Sequence, residues 1–325
     1  MSQKTMRAAR LHGVGDVRVE RLPVPEPAPG ELLVRIEACG VCPTDARKFA
    51  IGVNDGTYPF NPGHEWVGCV ERVGRETSGW EVGARVYGDT YAGYAEYATI
   101  GTRPADWSHG ALVVGELPVE RAVFVEPLAD CLHCVLDQGA VVPGRRVAVI
   151  GLGAMGVQIA AVAFRAGADV LAVEPRAERR ALGERFGASA AVEPNAWRAA
   201  AAARWEGAGP DVVIVTVARA SLAAEAVAVC APGGRVVLFA GFGNDGVAPV
   251  DLNRIHYEEI TVVGSEWVGT PPNQRYEHYK SARDLLVSGE LPLEQLVSDR
   301  TGLSGLGAAL HAVREQRSFK TVLLP

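Results

Sequence analysis

The chain has 325 residues, of which 48% are hydrophobic and 22% charged, and it carries a net charge of −6. That length fits two cores, and that composition excludes a disordered chain. No dense Lys/Arg block favours nucleic acid or anionic lipid. The N-terminus, MSQKTMRAAR, lacks the apolar core of a secretory signal, so a cytoplasmic protein is expected.

In chain order, residues 6–25 alternate and end in the proline-rich PVPEPAPG. Residues 31–38, 67–73 and 84–87 read as strands, and frequent glycines between 68 and 93 punctuate a compact β-rich region. From about residue 126 the texture changes. Helices are expected over 128–136, 154–166, 176–186 and 222–230, and strands over 146–150, 169–174, 211–217, 235–240 and 260–264. This alternation argues a parallel sheet covered on both faces. The one membrane-like stretch, 147–164, is broken by glycines and reads as strand, turn and buried helix, so no membrane span is expected. Amphipathic helices over 273–288 and 306–315 and a strand over 320–324 close the chain, and this tail is expected to return to the front domain.

Two stretches carry chemistry. The first, Gly151-Leu152-Gly153-Ala154-Met155-Gly156, follows an apolar strand and opens a helix. This is the arrangement that holds a dinucleotide pyrophosphate: a tight turn at Gly151, close backbone approach at Gly153, and close helix–sheet packing at Gly156. Glu174 lies 23 residues past Gly151 at the end of the next strand. A carboxylate there binds ribose hydroxyls and repels a 2′-phosphate, which favours NAD over NADP, although Arg176 and Arg179 stand where they could reach a phosphate.

The second pairs Cys42-Pro43-Thr44-Asp45 with Gly63-His64-Glu65 and with Glu126, which opens a helix. Cys42, His64 and Glu126 offer a thiolate, an imidazole and a carboxylate. Three protein ligands leave zinc a position for water or substrate. Glu65 would approach the ion or stand beside it, Asp45 would hold the other nitrogen of His64, and Thr44 would pass the substrate proton outward. Cys39 and Cys42 also fit a redox C-x-x-C pair, and Cys39, Cys42, Cys131 and Cys134 fit a structural tetrathiolate. Cys69 and Cys230 read as buried packing thiols. His12, His109, His133, His256, His278 and His311 have no partner in sequence and read as structural.

Together these motifs resemble the medium-chain dehydrogenase/reductase superfamily, specifically its zinc-dependent alcohol and polyol dehydrogenases. The residues 38–45 are similar to the family's cysteine motif, and Pro62-Gly63-His64-Glu65 to its histidine motif. Glu126-Pro127-Leu128-Ala129 is similar to the polyol branch, where a glutamate replaces a second cysteine. The resemblance implies an α/β protein with a GroES-like β-rich catalytic domain, from residues 1–125 and 265–325. Between these it implies a Rossmann doubly wound sheet, from 126–264. It also implies one catalytic zinc held by Cys42, His64 and Glu126 with Glu65 beside them, a proton relay at Thr44, NAD(P), and a homodimer or homotetramer.

The family's four-cysteine structural-zinc lobe is missing between residues 84 and 97, so one zinc per chain is expected. Arg47 stands where many relatives carry a relay histidine. The expected reaction is NAD-linked interconversion of a secondary alcohol and a ketone, on a polyol, cyclitol or sugar-like substrate. The alternatives are a zinc-free quinone or enoyl reductase, and a non-catalytic NAD(P)-binding relative.

Overall fold

The computed structural model describes residues 4–53, 55–102, 110–242 and 246–325; His109 lies outside them. The chain divides into two compact units, Met1–Pro127 with Thr270–Pro325, and Leu128–Gly269. No helix among the described residues is long and apolar enough to cross a membrane.

The first unit opens with a hairpin of β1 (Thr5–Gly13) and β2 (Asp16–Pro23). Then come β3 (Glu31–Val41), α1 (Pro43–Ile51), β4 (Trp66–Val73), β5 (Arg85–Gly88), β6 (Tyr97–Gly101), β7 (Leu112–Val113), α2 (Val119–Ala122) and α3 (Val125–Leu132). β3 runs three residues further than its hydrophobic pattern suggests, because Cys39, Gly40 and Val41 are buried and pair with residues 321–323. Chain direction breaks at Cys42. Its extended backbone caps α1, its sulfur accepts from the Thr44 amide, and Pro43 is set for a first helical position.

The helical pattern expected over 128–136 divides in two. α3 gives way to a π-helical turn, His133–Gln138. His133 stacks on Trp267 with ring centroids 4.4 Å apart, and its Nδ1 lies 2.8 Å from Asp137. Side-chain packing of this kind holds a widened turn that periodicity alone does not reveal.

The second unit continues with β8 (Arg146–Ile150), α4 (Ala154–Arg165), β9 (Asp169–Val173), α5 (Ala177–Arg185), β10 (Ala190–Val192), α6 (Trp197–Arg204), β11 (Val212–Val215), α7 (Ala220–Val229), β12 (Arg235–Leu238), α8 (Leu252–Tyr257) and β13 (Thr261–Gly264). All pairings are parallel, in the order β10-β9-β8-β11-β12-β13. The order reverses between β8 and β11, so two crossovers leave in opposite directions and open a crevice at the strand ends. Val212 to Val215 are buried on both faces, as an interior parallel strand requires. The short β10 was not expected, since Ala190–Val192 is only half-buried and carries little strand signal.

The chain then returns to the first unit as α9 (Pro272–Val287), β14 (Asp299–Thr301), α10 (Leu306–Arg314) and β15 (Thr321–Leu323). β15 pairs antiparallel with β3, setting Thr321, Val322 and Leu323 opposite Val41, Gly40 and Cys39. The last strand of the chain therefore lies against the segment that leads into Cys42.

Candidate active site

In the first unit, Cys42 at the start of α1 meets His64 and Glu65 at the entrance to β4. One donor atom from each lies within 4.8 Å of the other two. Asp45, fully buried one turn into α1, places Oδ2 at 3.3 Å from His64 Nδ1. That is an electrostatic contact, off the line of a formed hydrogen bond, since Nδ1 is buried without one. Asp45 itself is fixed: the Tyr94 hydroxyl donates to Oδ2 at 2.9 Å and the Gly63 amide to Oδ1 at 3.3 Å. Tyr87 donates to the His64 carbonyl at 3.3 Å.

Glu65 is buried, and the Lys320 ammonium donates to its carboxylate in an ion pair that is also buried. The pair crosses Gly40, where a Cβ would run into the Glu65 carboxylate. Spacing in sequence gave no hint of Lys320, because 255 positions separate it from Glu65.

Glu126 lies outside the close donor group, in the first turn of α3. Its charge is felt by Tyr87, Tyr91 and Lys320, which puts it in the same neighbourhood. Thr44 is half-buried one residue into α1.

The electrostatics suit a cation. Burial pushes the Cys42 thiol up, with Glu65 adding to it. Burial alone would lower His64, but Asp45 and Cys42 outweigh it and hold the imidazole well above its usual range. A divalent ion among these donors reverses both tendencies, favouring thiolate and neutral imidazole. The donor set of sulfur, nitrogen and carboxylate oxygen is that of catalytic zinc.

The other thiols do different work. Cys39 is buried in β3, where Gly93 leaves room for its sulfur. Cys131 donates to the Met155 carbonyl at 3.7 Å. Burial pushes Cys134 up to about 12 and Cys230 up to about 11, which suits packing thiols rather than thiolate ligands. Cys69 is the exception to the packing expectation: it is only partly buried, and its thiol donates to Glu37 at 3.4 Å. All six cysteines are free.

In the second unit, the glycine turn sits at the end of β8. Gly151 has φ +98°, and a Cβ there would meet Val217 at 2.5 Å. A Cβ on Gly153 would meet nothing within 4 Å, which is the open approach a phosphate needs, and one on Gly156 would strike the Gly151 carbonyl. Gly153 caps α4 without a side chain, leaving the first-turn amides near Ala154 and Met155 to a ligand. The buried carboxylate of Glu174 accepts from the Leu152 amide at 2.9 Å and from the Arg176 amide at 3.1 Å. Arg179 stands nearby, its pKa lowered by burial and then by Arg176.

Residues 28–173 match the model of the alcohol dehydrogenase GroES-like domain, and residues 151–287 match that of the zinc-binding dehydrogenases. The chain is 30% identical to a probable alcohol dehydrogenase of Mycobacterium tuberculosis, over 96% of this chain and 95% of that one. It belongs to the zinc-type alcohol dehydrogenases. This dehydrogenase is also 26% identical to (R,R)-butanediol dehydrogenase of Bacillus subtilis, across 98% of this chain and 100% of the relative. It superposes on a zinc-binding dehydrogenase of Sinorhizobium meliloti, crystallised with NADP, with a TM-score of 0.87 and 28% identity; 99% and 100% of the two chains are covered. The dehydrogenase is thus an α/β oxidoreductase with a GroES-like domain and a Rossmann-type parallel sheet.

Proposed function

We propose that this dehydrogenase interconverts a secondary alcohol and a ketone with NAD, on a polyol, cyclitol or sugar-like substrate, using one zinc per chain. The convergence of Cys42, His64 and Glu65 carries this reading. In it, Cys42, His64 and Glu126 hold the ion. Glu65 stands beside it, its charge already balanced by Lys320. The remaining thiolate and carboxylate would then balance a divalent cation, leaving the centre close to neutral. Residues 89–96 join β5 to β6 without a cysteine, which supports a single zinc.

Bound there, zinc supplies a Lewis acid at the substrate oxygen, and the nicotinamide supplies the hydride acceptor. Asp45 orients His64. Thr44 accepts the hydroxyl proton and passes it outward to water, since Arg47, at the usual relay-histidine position, is always protonated and cannot carry it. The residues 151–156 and the start of α4 would hold the pyrophosphate and Glu174 would bind the ribose hydroxyls, with Arg179 close enough to Glu174 to feel its charge. In balance, R–CHOH–R′ and NAD⁺ give R–CO–R′, NADH and a proton.

Among the described residues β13 ends the sheet, with Val262 exposed, and such an edge supports self-association as a dimer or tetramer. Metal analysis together with NADH absorbance over a panel of secondary alcohols tests the reading. Zinc-free protein whose activity ignores chelators would rule it out in favour of a zinc-free reductase.

One variant tests the cofactor assignment. Glu174→Ala removes the carboxylate that meets the ribose and would repel a 2′-phosphate. The KM for NAD is expected to rise about tenfold or more while that for NADP holds or falls. An unchanged NAD/NADP ratio refutes Glu174 as the ribose ligand.

A further inference from the structure

Lys4, Lys280 and Lys320 each lie against a carboxylate: Glu71 at 3.7 Å, Glu277 at 3.0 Å, and the buried Glu65. Lys48, the remaining lysine, does not. Its half-buried side chain leaves α1 with no hydrogen bond and no ion pair among the described residues. Asp55 feels its charge only from beyond pairing distance. The ammonium lies over two rings, 5.3 Å from the centroid of Tyr91 and 5.7 Å from that of Phe60. Such contacts orient a cation without neutralising it.

The rings also tie Lys48 to the metal donors. Tyr91 meets Phe60 edge-on at 5.0 Å and His64 edge-on at 5.1 Å. Along the helix, Lys48 is four residues past Thr44 and shares its face. One helical turn is about 5.4 Å, roughly the span of a three- to four-carbon chain. A substrate with its reacting hydroxyl at Thr44 and His64 would bring its far end to an unpaired positive charge.

Building on the proposed function, we propose that Lys48 is a specificity-determining residue that binds a carboxylate at the far end of the substrate. The favoured alcohols are then hydroxy acids of the aldonate type rather than neutral polyols. A lone ammonium on an apolar, aromatic wall matches a singly charged group of this kind.

The test uses zinc-loaded protein with NAD, on erythritol and threitol against erythronate and threonate, in wild type and Lys48→Met. Methionine keeps the length and apolar character of the stem and removes the charge. For wild type, kcat/KM is expected to favour the aldonates. In the variant, aldonate kcat/KM falls about tenfold or more, the loss of one charge-assisted hydrogen bond, and the neutral tetritols fall less than about threefold. Threonate binding to zinc-loaded protein without cofactor, followed by saturation-transfer NMR, is expected to weaken in the variant and in high salt.

Equal losses for both substrate pairs, or a rise in the KM for NAD alone, overturn the role of Lys48. If wild type turns over none of the four compounds or other secondary alcohols, the proposed function fails instead. The NMR measurement then still decides Lys48, since unchanged threonate binding in the variant refutes it.

Discussion

Cys42→Ser protein is expected to lose most of its zinc and to turn over at least about a thousandfold more slowly, with NAD binding close to wild type. The thiolate is the softest donor of the proposed set, and a serine hydroxyl stays protonated at neutral pH and binds zinc weakly. The loss of rate follows from losing a Lewis acid that contributes several kcal/mol of charge stabilisation, where each 1.36 kcal/mol is tenfold. The fold gives no reason for wider damage. Cys42 caps α1 with its side chain, and serine is among the preferred residues for that position. The glycine turn belongs to the other unit, so cofactor binding should persist. Metal analysis, NADH absorbance and a direct NAD titration check the three parts. Retained zinc with collapsed NAD binding would show that the roles of the two units are reversed.

Lys320→Met is expected to destabilise the zinc-free protein by about 3–5 kcal/mol, because it leaves Glu65 as a buried charge without its partner. Burial alone would lower the Lys320 pKa, but Glu65 and then Cys42 outweigh it and raise the value, so the Lys320 ammonium stays charged at neutral pH. With zinc bound, the loss should shrink, since the freed carboxylate can turn toward the cation. A second carboxylate at the metal should also weaken its Lewis acidity and lower kcat. Adding Glu65→Gln should recover much of the lost stability by removing the orphaned charge. Denaturant unfolding with and without zinc measures each step. Equal destabilisation in both states, with no recovery in the double variant, would refute a link between this ion pair and the metal centre.

The cofactor turn shows why part of this protein was legible from its residues. Gly151, Gly153 and Gly156 act within six consecutive positions, and backbone sterics there depend on local chain geometry. The same locality governs Cys42 and Asp45, which share one turn of α1. The π-helical turn at His133 was not legible, because Trp267 and Asp137 hold it rather than any periodicity.

By itself, the amino-acid sequence determined the alternation that builds a parallel sheet, the glycine turn at the end of β8, and the thiolate, imidazole and carboxylate types suited to zinc. Each depends on side-chain period or short spacing, which the chain states directly. Tertiary structure alone decided which carboxylate is neutralised. The pairing of β15 with β3 brings Lys320 across Gly40 to Glu65. Tertiary structure alone also placed the Lys48 ammonium on the Tyr91 and Phe60 rings, with no acid among the described residues within ion-pair distance. Charges far apart along the chain meet only through strand register and packing, and no local pattern encodes that meeting.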